Sequence, residues 1–204
     1  MKNIVVLLIS FGLFGACYAQ NSNQLFDVYN VRNDADGSAV VYATNNYPCD
    51  ESVIITFSTL KNMKADVELP FKGVVPAGAK EFKILTLTIK DRSKESDFGY
   101  ITKYCHGNIF EGKHDDTYVY TLPYQEGKQY GIGQGYGGKF SHFEEGKTQA
   151  IDFTMDIGTL ICAARDGVVL EVKEDSDRHG KSYKFQEDGN YIVIYHSDGS
   201  MAHY

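Results

Sequence analysis

The chain is short of several things, and each shortage excludes something. Past the first fourteen residues there is no long apolar run, so no second segment reads as a membrane span. Lysine and arginine number 20 against 27 aspartates and glutamates, a formal charge of −7. A basic footprint for DNA or RNA is therefore absent. Only four prolines occur, and no stretch after residue 19 keeps an apolar stripe at i, i+3, i+4 and i+7 over three helical turns. No two cysteines form C-x-x-C, which argues against a cysteine-built zinc site. Low-complexity tracts are missing too, and with 43% hydrophobic and 13% aromatic residues the chain reads as folded.

What is present begins with an export signal. Lys2 supplies a positive start, residues 4–14 form an apolar run broken by Ser10 and Gly12, and small residues follow at Ala16, Cys17 and Ala19. This is the layout of a secretory signal peptide over residues 1–19, with cleavage expected after Ala19. A weak lipobox ending at Cys17 offers lipid anchoring as the minor alternative. A secreted or periplasmic protein is the expectation. Export implies an oxidising compartment for the remaining Cys49, Cys105 and Cys162. Three thiols leave one over. Cys49 and Cys105 share the N-terminal half and are the expected pair, while Cys162 reads as a buried thiol in an apolar strand.

The 204 residues suffice for one large or two small domains. Runs at 40–44, 53–57 and 82–89 are rich in β-branched and aromatic residues and are separated by turn clusters. Strict alternation places Lys83, Leu85, Leu87 and Ile89 on one face of the last run and Ile84, Thr86 and Thr88 on the other. Short strands at this spacing predict a β-sandwich-like domain over 24–105. Residues 106–116, polar and turn-rich, read as a linker. A second β-rich domain is expected over 117–204, with strands near 117–120, 150–154, 160–164, 167–172, 191–196 and 201–204. The fold class is all-β.

Residues 130–140 hold five glycines, and Gly133, Gly135 and Gly138 satisfy G-x-G-x-x-G. A dinucleotide turn needs a helix next, and a polar loop follows instead. A glycine-rich loop allowing close approach of a backbone or ligand is the better reading. Of six histidines, His106, His114 and His179 sit in polar loops, and His196 ends an apolar strand. His142 stands out because Asp152 follows across a loop carrying Glu144, Glu145 and Gly146. In a strand, Ile151 and Phe153 share one face and Asp152 takes the other. An imidazole and a carboxylate are suitable zinc donors. On spacing alone, a metal pair and an ordinary ion pair both remain open.

The surrounding text adds to this. Phe140-Ser141-His142, Ala150-Ile151-Asp152-Phe153, Gly158-Thr159, Cys162-Ala163-Ala164-Arg165-Asp166-Gly167 and Tyr195-His196-Ser197-Asp198-Gly199 together resemble the catalytic domain of LytM/lysostaphin-type zinc metallopeptidases, over about residues 114–204. The resemblance implies an antiparallel β domain, incomplete in this chain, and Zn2+ held by His142 and Asp152. The His-to-Asp gap is longer than the H-x-x-x-D of the best-known members. The third ligand, from an H-x-H motif, and the catalytic histidines are implied beyond residue 204. Tyr204 matches the tyrosine of the family's Tyr-x-His segment, so no catalytic role passes to His203. The expectation is an exported endopeptidase of bacterial cell-wall (peptidoglycan) peptides, with the 204 residues themselves inactive and 201–204 left as a sheet edge. Two rivals stand beside it. One is a non-catalytic LytM-like module that activates a cell-wall amidase. The other is an exported β-rich adhesion or carbohydrate-binding protein.

Overall fold

The computed structural model describes residues 25–143, 147–178, 180, 185 and 188–204. The expected signal peptide, Cys17, His179, Glu144, Glu145 and Gly146 lie outside the described residues. Twelve strands and no α-helix make up the regular structure among those residues, so the protein is all-β. No helix there is long and apolar enough to cross a membrane. The chain divides into two compact units, one running through Glu111 and the other starting at Gly112.

The first unit holds β1 (Phe26–Arg32), β2 (Ala39–Asn45), β3 (Glu51–Lys61), β4 (Met63–Ala65), β5 (Phe71–Val75), β6 (Phe82–Ile89) and β7 (Asp97–His106). They form two antiparallel sheets, ordered β1-β2-β6-β4 and β5-β3-β7. Alternate residues of each sheet turn inward. Phe26, Val41, Leu85, Leu87 and Met63 from one sheet pack in a single apolar cluster with Val53, Ile55 and Val75 from the other. Period-2 burial in β2 follows its alternating sequence.

Strand β6 departs from the alternation its sequence predicts. Lys83 is exposed, whereas Ile84, Leu85 and Leu87 are all buried. The cause is a register shift against β2: Val41 faces Leu85, while Tyr42 faces Lys83. Ile84 is the additional residue of this bulge, which flips the phase of the strand and lets two consecutive apolar side chains enter the core.

The second unit holds β8 (Gly131–Gln134), β9 (Asp152–Thr154), β10 (Val168–Lys173), β11 (Tyr191–Tyr195) and β12 (Met201–His203). Strands β8 and β9 form a two-stranded antiparallel sheet, and β10-β11-β12 a three-stranded one. Its apolar cluster is small, built on Tyr124, Phe153, Met155, Ala164 and Ala202. Two expected strands do not form. Residues 117–120 are irregular, because Tyr118 and Tyr120 engage Arg165 rather than a neighbouring strand. Residues 160–164 contribute a single bridge, Ile161 to Tyr124. Cys162 consequently lies outside any strand and is half-buried, its N–H donating to the Pro123 carbonyl at 3.0 Å. Strand β12 pairs with β11 alone among the named strands and is thus at one side of its sheet.

Candidate metal centre

Strands β8 and β9 pair antiparallel as the two arms of a hairpin-like return. Gln134 faces Asp152 across the pair, and a register shift after Ile132 leaves Gly133 bulged. Phe153 turns into the small apolar cluster against Tyr124. Asp152, on the other side of the strand, turns toward His142. Between the strands, Gly137 N–H bonds the Thr148 carbonyl at 2.8 Å, and His142 N–H bonds the Gly138 carbonyl at 3.0 Å. These bonds fold the loop so that the two expected residues meet.

His142 is fully buried and Asp152 is 8% exposed. His142 Nδ1 lies 2.9 Å from the Gly135 carbonyl oxygen, and Nε2 lies 3.0 Å from Asp152 Oδ1. A carbonyl can only accept, so Nδ1 donates and Nε2 is the ring nitrogen that faces the carboxylate, either through its own N–H or through a lone pair. With a lone pair there, two acceptors in contact need a shared proton or a cation between them. Burial pushes the Asp152 carboxyl up, against the opposing pull of His142 and Gln134. Two donors on one tetrahedral zinc stand about 3.4 Å apart, so the observed pair needs only a few tenths of an ångström of opening. The donor set and its separation fit the ion.

Gln134 was not singled out by the sequence, yet it organises this site. Its Nε2 donates to Ser141 Oγ at 2.8 Å and to Asp152 Oδ2 at 3.3 Å, and its Oε1 accepts from Phe140 N–H at 3.0 Å. Gly138 is glycine because the Gln134 side chain lies across it; a Cβ there would overlap Cγ and Cδ of Gln134. The legible signal was the glycine run itself. Within it Gly138 alone packs closely against Gln134, and no helix follows the run among the described residues.

No third donor joins the pair among the described residues. There, the one cluster of three His, Cys, Asp or Glu side chains is Cys49, Glu51 and His106 in the first unit. The expected Cys49–Cys105 disulfide is absent, because Cys49 turns to Glu51 and His106 instead. His106, expected in a polar linker, is the last residue of β7 and is buried.

The remaining motif residues of the second unit form a polar clamp. Arg165 Nη1 donates to Asp198 Oδ2 at 2.7 Å and to the Tyr120 hydroxyl at 3.1 Å, with its guanidinium 4.0 Å from the Tyr118 ring centroid. Burial alone would raise the Asp198 carboxyl. Bonds from Asp115 N–H, Ser200 and Arg165 outweigh it and hold the group well below the carboxylate range. A Cβ at Gly167 would strike the Tyr195 carbonyl, so glycine permits β10 to meet β11 there. His196 is fully buried. Its Nδ1 donates to the Asp166 carbonyl at 2.9 Å, and its Nε2 meets no partner. His114 stacks on Tyr120, and His203 packs edge-on against Tyr191.

No protein-family model, curated protein or solved structure matches the chain.

Proposed function

We propose that the second unit carries two zinc ligands, His142 and Asp152, of an exported metallopeptidase of the LytM/lysostaphin type acting on bacterial cell-wall peptides. The observation that carries this reading is the contact of His142 Nε2 with Asp152 Oδ1 at 3.0 Å in a buried setting, with Nδ1 already committed to Gly135. The resemblance in the residues around the pair supplies the substrate class.

Two further residues of the hairpin, Gly135 and Gln134, would orient the donors of a metal. The Gly135 carbonyl holds Nδ1 as a donor, so Nε2 is the ring nitrogen that would take a metal. Gln134 anchors the second oxygen of Asp152, which aims the first toward His142. Zinc in such a site supplies Lewis-acid activation of a water and of the scissile carbonyl. Catalytic zinc takes three protein donors, and the described residues supply two. An amidase-activating module would need neither donor, and an adhesion module gains nothing from a buried imidazole facing a carboxylate. Both observations favour the peptidase.

The test is digestion of purified peptidoglycan by the purified protein, with new amino termini read by mass spectrometry. His142→Ala and Asp152→Ala should each reduce release by more than about 100-fold, beyond what loss of a merely orienting group costs a metal site. Chelation should do the same. Unchanged release in both variants would overturn the reading.

A further inference from the structure

The first unit carries a second, unrelated donor cluster. Cys49 precedes β3, Glu51 opens β3, and His106 closes β7. Local hydrogen bonds bring the three together. Asn45, itself fully buried, donates through Nδ2 to the carbonyls of Cys49 at 2.9 Å, Pro76 at 3.0 Å and Val75 at 3.2 Å. Gly107 N–H donates to the Asp50 carbonyl at 2.7 Å, and Ser52 Oγ donates to the Gly107 carbonyl at 2.6 Å. The start of β3 and the end of β7 are thereby stitched side by side through a parallel bridge between Glu51 and Gly107. The Tyr47 ring packs edge-on against His106 with centroids 4.5 Å apart.

Inside this frame, Glu51 Oε1 contacts both His106 Nδ1 and Cys49 Sγ, the latter at 3.6 Å. Cys49 Sγ lies 3.9 Å from His106 Nδ1. Glu51 has no exposed surface, and its Oε2 has no partner. A carboxylate oxygen buried without a donor is costly unless a cation satisfies it. A thiolate, an imidazole and a carboxylate form the mixed S, N and O set that zinc accepts. Sulfur and oxygen or nitrogen donors on one tetrahedral zinc stand about 3.5 Å apart, close to both sulfur distances here.

A nucleophilic cysteine is the competing chemistry, and the burial of the cluster opposes it. Cys49 and His106 are 2% and 5% exposed, so no substrate reaches them.

We propose that Cys49, Glu51 and His106 form a structural zinc site that staples the start of β3 to the end of β7. Glu51 Oε2 is the spare donor on the same carboxylate. Because the site is assembled only in the folded unit, metal binding stabilises that unit.

Cobalt(II) is the probe. The metal-stripped, reduced chain should bind one equivalent with a thiolate-to-cobalt charge-transfer band in the near ultraviolet, and zinc should displace it. Cys49→Ser should abolish the band, and Glu51→Gln should weaken cobalt binding more than about tenfold. Cys162→Ser and His142→Ala should leave the band intact, which separates this site from the His142 pair. Should Cys49→Ser fail to fold, the wild-type chain still decides. Zinc should then raise its unfolding temperature and protect one buried thiol from alkylation, with both effects reversed by chelator. A wild-type chain with no charge-transfer band and no zinc-dependent protection overturns the proposal. So does a band that survives Cys49→Ser.

Discussion

The two units solve the same problem with different materials. The first encloses an apolar interior of Phe26, Val41, Val53, Ile55, Met63, Leu85 and Leu87, each at most 1% exposed. The second has five buried apolar residues in its cluster. Its interior is completed by Ser141, His142, Asp152, Arg165, His196 and Ser200. It also leaves Val119, Ile132, Phe140, Ile157 and Leu160 largely exposed. Stability in the first unit scales with apolar area removed from water. In the second it depends on polar groups that each need a specific partner. A polar interior tolerates less error but places named atoms, which is what a site requires.

The largest expected effect tests the apolar side of this contrast. Leu87 is fully buried on β6 between β2 and β4. Leu87→Ala should cost about 3–5 kcal/mol, the upper part of the range for a buried leucine whose cavity cannot collapse. Urea denaturation followed by hydrogen exchange of β2 and β6 amides checks it. A cost under about 1 kcal/mol would mean that the sheets close over the cavity and that the interior is not tightly packed.

The next effect tests the polar side. Arg165→Met preserves much of the side-chain volume but removes the partner of Asp198 and of the Tyr120 hydroxyl. Asp198 keeps its bonds from Asp115 N–H and Ser200, so the loss is about 2–3 kcal/mol, that of one bond to a charged group. Thermal unfolding of the second unit is the measurement. A stabilised variant would show that the clamp serves specificity alone, as some buried ion pairs do.

The same contrast governs what could be read from the sequence. β2, β3 and β6 were legible because β-branched residues alternate there and an apolar interior needs only that pattern. The bulge at Ile84 was not, since two adjacent apolar residues also fit a strand buried on both faces. In the second unit, 117–120 looked like a strand, but its tyrosines bind Arg165. Aromatic enrichment cannot distinguish a pleated neighbour from a guanidinium. His142 and Asp152 came from surrounding motif text, as their spacing alone fits an ordinary ion pair. Gln134 and His106 escaped because neither residue type nor spacing reveals a partner fixed by a bulge or by a bridge between distant strand ends. His106 did end an unbroken β-rich run, and that run could have moved it out of the linker.

The smallest effect sharpens the comparison through pH. Burial lowers the pKa of both His196 and His203 from the ordinary histidine value. For His196 the Asp166 carbonyl opposes this shift, and among nearby charges Arg165 and His114 add to it while Asp198 opposes it. A histidine depressed in the fold contributes stability that is complete above its unfolded pKa, about 6.5, and is lost as pH falls through the folded value. The second unit should therefore weaken as pH drops below about 6.5. Asp152 works in the opposite sense, since a carboxyl raised by burial gives stability that is lost as pH rises through its folded pKa. In the first unit, Asp36, Asp66 and Asp91 are held low. Their contributions persist until pH falls below about 4. Urea midpoints of the two units, followed separately by hydrogen exchange from pH 7.5 to 5, should show the second declining, whereas the aspartates of the first contribute no loss over this interval. His196→Asn, which can still donate toward Asp166 but does not titrate, should flatten that decline. A second unit whose midpoint stays constant over this interval in both the wild-type chain and Asp152→Asn, which removes the opposing contribution, would show that the buried imidazoles accept protons without cost, and its polar interior would then be far more solvated than its burial implies.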